Sequence, residues 1–189
     1  MLRISLPPGC VLVPLQGDAE QRRACAAEVL DSGGRTCHAA RDGLAMLGAD
    51  LRASGIALAG ILTAVEAGPE VSAFLTVSQW QHAKITGSDA SVLAEMHRAR
   101  HPRAVVEVIN LPVGAAVRSV RETELSLPDS GPGALDATSV VTRGVQFLLP
   151  APAGVVVVDV STAHLRYWGA FARQAQQIAE TVRVETLRL

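Results

Sequence analysis

The sequence predicts an α+β fold in which helices pack on the faces of a mostly antiparallel sheet. Strand-like segments between residues 56 and 149 follow one another with short turns, which favours antiparallel pairing. Residues 155–160 are interpreted as a continuous apolar strand, as expected for a strand covered on both faces. Apolar residues then recur on one helical stripe up to residue 182. Together these patterns predict a layered α/β/α sandwich with a long C-terminal helix.

The periodicity of apolar residues assigns the elements in chain order. The predicted helices are 18–30, 37–54, 88–100 and 162–182, and the predicted strands are 3–14, 56–67, 71–81, 104–111, 115–125, 139–149 and 155–160. Prolines within the first strand break its pattern of amide donors, so we expect it at an edge of the sheet.

Short polar residues mark where these helices begin. Asp18 is expected to cap the first helix, Ser88 or Asp89 the third, and Ser161 or Thr162 the last. The chain contains no internal repeat and no domain-length linker, so its 189 residues are expected to form a single domain, 1–189.

The composition disfavours several classes of partner. The 17 basic residues nearly balance the 18 acidic ones, so no overall field favours nucleic acid or an anionic membrane. The most apolar segment, 56–65, is too short to span a bilayer, and the N-terminus does not resemble a signal peptide. The three cysteines include no CxxC pair. We therefore expect a cytoplasmic protein with reduced thiols.

The C-terminal block resembles the closing strand and helix of small actinobacterial proteins with the PsbP-like α/β/α sandwich. The matching residues are LPAPAG at 149–154, the apolar strand 155–160, Ser161-Thr162 and the amphipathic helix 168–182. Arginine supplies all but one of the basic residues, which is typical of a high-GC genome such as an actinobacterium's. The superfamily includes LpqN-type lipoproteins, a photosystem extrinsic subunit and a Ran-binding import factor. The resemblance implies protein binding and no shared catalytic residues. The alternative is the helix-grip fold of hydrophobic-ligand carriers.

A charged cluster on two predicted strands is the candidate interaction site. Side chains alternate between faces along a strand, so Arg118, Glu122 and Glu124 are expected on one face and Arg121 on the other. Arg143 lies on the next strand. The alternative interpretation is a solvated sheet face with cross-strand ion pairs. Trp80 is a second candidate contact, or a core residue.

Few residues suggest catalysis or metal binding. His97 and His101 have the four-residue spacing that brings two imidazoles onto one helix face for a metal, but solvated histidines at a helix end are the favoured interpretation. Cys37 beside His38 is the only candidate nucleophile. The sequence has no GxSxG, HExxH or phosphate-binding glycine loop. We therefore expect no enzyme activity, no cofactor and no metal.

These observations favour a non-catalytic protein-interaction domain, an adaptor or accessory subunit of a larger bacterial assembly. The contact surface is expected on one sheet face or on the loop 128–134 (PDSGPGA). Because the chain is very apolar for its size, a homo-oligomer is expected as well. The alternative function is a carrier of a small hydrophobic ligand in a closed cavity under the C-terminal helix, lined by Val and Leu.

Overall fold

The computed structural model describes residues 2–32, 38–65, 70–80, 89–127, 138–152 and 154–184. The helices are α1 (Ala19–Ser32), α2 (His38–Ala53), α3 (Ala90–Arg100) and α4 (Trp168–Thr181). The strands are β1 (Leu2–Arg3), β2 (Val11–Leu12), β3 (Ile56–Val65), β4 (Glu70–Trp80), β5 (Val105–Leu111), β6 (Gly114–Leu127), β7 (Thr138–Ala151), β8 (Gly154–Thr162) and β9 (Arg183–Val184). Within these residues, no helix is long and apolar enough to cross a membrane.

The main sheet has seven strands in the order β2-β3-β4-β8-β7-β6-β5, and every neighbouring pair is antiparallel. β1 and β9 form a separate two-stranded pair. The predicted α+β class and antiparallel sheet are confirmed. β8 lies at the centre of the sheet, between β4 and β7, because its valines are buried on both faces.

α4 covers one face of the sheet, which we call the α4 face. The helix packs on β8, β7 and β3 and buries Phe171 and Ile178 completely or nearly so. Phe147 of β7 and Val158 of β8 belong to the same core. Few aromatic residues are available, so this core is filled largely by valine, leucine and alanine side chains, as the composition predicts.

The other three helices cover the opposite face, which we call the α3 face. α3 packs Leu93 and Ala94 against Val117 of β6 and Leu148 of β7. α2 packs against β3 and against α1 at the other end of the same face. Helices therefore lie on both faces, as in the predicted sandwich and unlike the helix-grip alternative.

The predicted caps are correct for two helices and wrong for the last. The carboxylate of Asp18 accepts the amides of Glu20 and Gln21, both at 2.9 Å, and the Gln21 side chain accepts the Asp18 amide in return. Asp89 accepts the amide of Ser91. Ser161 and Thr162, in contrast, are the last two residues of β8. The Thr162 hydroxyl donates to the carbonyl of Ser72 in β4 and accepts the amide of His164, so it links β8 to β4 and to the turn before α4 instead of capping α4.

Two further predictions differ from the structure at the chain's ends and loops. The segment 3–14 forms two short strands, β1 and β2, because its prolines interrupt the ladder; β2 is at a sheet edge, as predicted. A 3₁₀ turn at Leu165–Tyr167 precedes α4, so the regular helix starts later than predicted. The loop 128–134 and Cys37 lie outside the described residues.

Candidate interaction surface

The predicted charged residues form a strip across β5, β6 and β7 on the α4 face. We define the charged strip as Glu107, Arg118, Glu122, Glu124 and Arg143. Glu107 and Arg118 are cross-strand neighbours, and so are Glu122 and Arg143. Nη1 of Arg118 lies 2.7 Å from Oε1 of Glu107, and Nε of Arg143 lies 3.7 Å from Oε1 of Glu122. Side-chain alternation therefore predicted the shared face correctly.

Apolar and aromatic side chains adjoin the charged strip. The guanidinium carbon of Arg143 lies 5.3 Å from the ring centroid of Trp168, a cation–π distance. Val105 is 69% exposed and Val141 is 42% exposed. Both lie on the α4 face, because their cross-strand partners Val120 and Glu124 lie on it. The Ser139 hydroxyl donates to the carboxylate of Glu124. Exposed valines thus lie beside the paired charges of the charged strip.

Trp80 does not join the charged strip. It pairs with Val155, whose side chain packs with α3 on the opposite face of the sheet. It also lies at the other end of β8, since Arg143 pairs with Thr162. Its side chain is 39% exposed, so it remains a separate surface residue and not part of the core.

A row of polar side chains crosses the α3 face beneath α3, and the sequence did not predict it. Ser119, Gln146 and Asp159 are consecutive cross-strand partners on β6, β7 and β8. Gln146 donates to the carboxylate of Asp159, and Nη2 of Arg121 lies 3.4 Å from Oδ2 of Asp159. Burial raises the pKa of Asp159, although Gln146 and Arg121 act in the opposite direction. The sequence offered one sign of this row, because Asp159 is the single acidic residue among the valines of β8. That segment was interpreted as a continuous apolar strand.

His97 belongs to the same row, which corrects the expectation of a solvated helix-end histidine. It is 5% exposed, and its Nε2 lies 3.0 Å from Oγ of Ser119. Burial lowers the pKa of His97 to about 4, with further lowering by the charges of His101, Arg121 and Arg100. α3 lies against β6 at this point, so a residue near the helix end is buried by the sheet.

Among the described residues, the histidine pair has no third side chain with which to form a metal centre. The ring centroids of His97 and His101 lie 4.5 Å apart, as their spacing predicts. Across the part of the chain that the structure describes, no three or more His, Cys, Asp or Glu side chains group closely enough to hold a metal ion. His97 directs Nε2 to Ser119. The arrangement is that of a hydrogen-bonded polar row.

A partly open cleft lies at the C-terminal end of α4. Its volume is about 360 Å³, and its apolar lining includes Val113, Leu149, Val156, Val182 and Val184. Three prolines and Arg183 line it as well. The cavity predicted for a carrier was closed, and this cleft is not.

The fold and these surfaces define a class of protein: an α+β sandwich with a seven-stranded antiparallel sheet and a charged strip outside its helical cover. No protein-family model, no curated protein and no solved structure matches this chain. The resemblance to PsbP-like sandwiches therefore stays a prediction.

Proposed function

We propose that this chain is a non-catalytic protein-interaction domain that binds its partner through the charged strip and the valines beside it. One observation carries the proposal. α4 packs on β3, β7 and β8, whereas β5 and the N-terminal end of β7 expose Val105 and Val141 among paired charges on the same face. We propose further that the domain acts in the cytoplasm as an adaptor or accessory subunit. The free thiols of Cys10 and Cys25 support a reducing compartment.

The chemistry of the charged strip favours recognition over stability. Exposed ion pairs such as Arg118–Glu107 contribute little to folding. The pairing of β5, β6 and β7 nevertheless holds positive and negative side chains at fixed positions on neighbouring strands. A complementary protein surface can match this pattern. Arg143 held against Trp168 adds the two residue types that dominate interface energetics.

Changing Val141 to lysine should disrupt this surface without disturbing the fold. The cross-strand partner of Val141 is Glu124, so the new ammonium gains an opposite charge on its own sheet. This ammonium group also lies in the apolar part of the proposed contact, where it should oppose binding of the partner. We expect the amount of partner cross-linked in the source cells, measured by quantitative mass spectrometry, to fall at least about tenfold.

Val92→Lys is the matched control, because Val92 is 50% exposed on α3 at the other face of the sheet. This variant should retain the partner. Equal losses in both variants, or no loss with Val141→Lys, would contradict the proposed surface. The circular dichroism spectrum and melting temperature of each variant establish that it is folded.

A second candidate function is supported by the cleft at the end of α4. Its volume of about 360 Å³ suits a small molecule whose apolar part contacts the valines and Leu149, with Arg183 beside them. Native mass spectrometry of gently purified protein should then show a retained ligand, and Val113→Trp should abolish its retention by filling the cleft. A ligand-free wild-type protein would contradict this function.

A further inference from the structure

The two outer strands of the main sheet differ in how they expose their open edges. β2 is only two residues long, and Pro7, Pro8 and Pro14 flank it. Proline has no amide hydrogen, so this edge offers few donors to another strand. β5, at the opposite end, has seven residues and no proline. Among the described residues, β5 therefore has the open edge of this sheet.

The backbone of β5 presents a regular row of groups on its outer side. Its register with β6 runs without a shift along the whole strand. The carbonyl oxygen of Val106 accepts a hydrogen bond from Nη2 of Arg98 at 2.9 Å, so this carbonyl faces away from β6. Backbone groups of alternate residues point the same way in an antiparallel strand. Val108 and Asn110 therefore also direct their amides and carbonyls outward.

The side chains of β5 do little to prevent pairing. Val105 is 69% exposed on the α4 face, and Val108 is 45% exposed on the α3 face. Glu107 is the only charged residue of the strand, and Arg118 pairs with it at 2.7 Å. β5 lacks the lysine, proline or bulge with which soluble proteins usually protect an edge strand. Such an edge is a template for another strand.

We propose that β5 pairs with β5 of a second copy of this chain, antiparallel and across a twofold axis at Val108. The outward amide and carbonyl of Val106 then pair with those of Asn110 in the other copy, and the two Val108 residues lie opposite each other. The pairing continues the antiparallel order of the sheet. Because β2 closes the other edge, the assembly ends at two copies. This inference goes beyond the proposed function, since it concerns the backbone edge of β5 and a second copy of the chain, not the side chains of the α4 face and their partner.

Arg98 covers part of this edge in the single chain. Its guanidinium occupies the Val106 carbonyl, which would otherwise be an open acceptor at the sheet edge. In the pair, Arg98 releases this carbonyl, which then accepts the amide of Asn110 of the other copy.

The molar mass of the full chain in solution tests this proposal, measured by light scattering over a range of concentrations. We expect twice the chain mass for the wild-type protein. Val108→Lys places two ammonium groups together at the axis and should give a monomer. Leu12→Lys, on the opposite edge of the sheet, should remain a dimer; Leu12 is 46% exposed.

A wild-type monomer at all concentrations would overturn the proposal. So would a dimer that survives in Val108→Lys, or an assembly larger than two copies. Val141→Lys lies outside this contact and should remain dimeric, so the charged strip and the β5 edge succeed or fail separately.

Discussion

Replacing Gly48 by alanine is expected to lower the free energy of unfolding by about 3 kcal/mol, the upper part of the usual range for overpacking. A Cβ at this position would lie 2.1 Å from the carbonyl oxygen of Pro14 and 3.0 Å from its carbonyl carbon. Backbone atoms cannot rotate away as a side chain can. α2 or the segment after β2 must therefore move, although alanine is the better helix former.

Gly43 provides the matched control because it lies five residues earlier in α2. Apart from the surrounding turns of the helix itself, no described atom lies within 4 Å of the position that a Cβ would take there. Gly43→Ala should therefore raise the free energy of unfolding by about 0.5–1 kcal/mol, since alanine reduces the entropy of the unfolded chain without a clash. Urea denaturation measures both variants. Equal effects of the two substitutions would contradict the close approach of α2 to Pro14.

The second large effect is a loss of stability in acid caused by His97. Its pKa in the folded protein is about 4, below the ordinary value of 6.5. As the pH falls below 6.5, the unfolded chain takes up a proton that the folded chain does not. Stability therefore falls by about 1.4 kcal/mol per pH unit and by about 3 kcal/mol in total at pH 4. Below pH 4 both states are protonated and this effect stops growing.

His97→Gln isolates this effect from the titration of carboxylates. The variant keeps a polar group near Ser119 but cannot take up the proton. The difference in unfolding free energy between wild type and variant should change between pH 6.5 and 4 and stay constant above that range. Asp159, whose pKa is raised, is present in both proteins and cancels. The ring proton resonances of His97 should titrate near pH 4, and a midpoint near 6.5 would contradict its burial.

Much of the candidate surface was predictable from sequence because side-chain alternation is a local property of a strand. Arg118, Glu122 and Glu124 lie on one face and Arg121 on the other, as their spacing requires. Their cross-strand partners were only partly predictable. Arg143 lies on the next strand in sequence, so its pairing with Glu122 needs only a hairpin. Trp80 was predicted as a second contact or a core residue, and only the fold shows that it is exposed on the other face.

The sequence by itself determined the class of fold, the order of the main elements, the caps at Asp18 and Asp89, and the faces of the charged residues. These depend on periodicity and on interactions within a few residues of the chain. Tertiary structure alone decided that β8 lies between β4 and β7, and so brought Asp159 beside Gln146. It also placed α3 over β6 and buried His97 against Ser119. Such contacts depend on the pairing of distant segments, which no local pattern encodes.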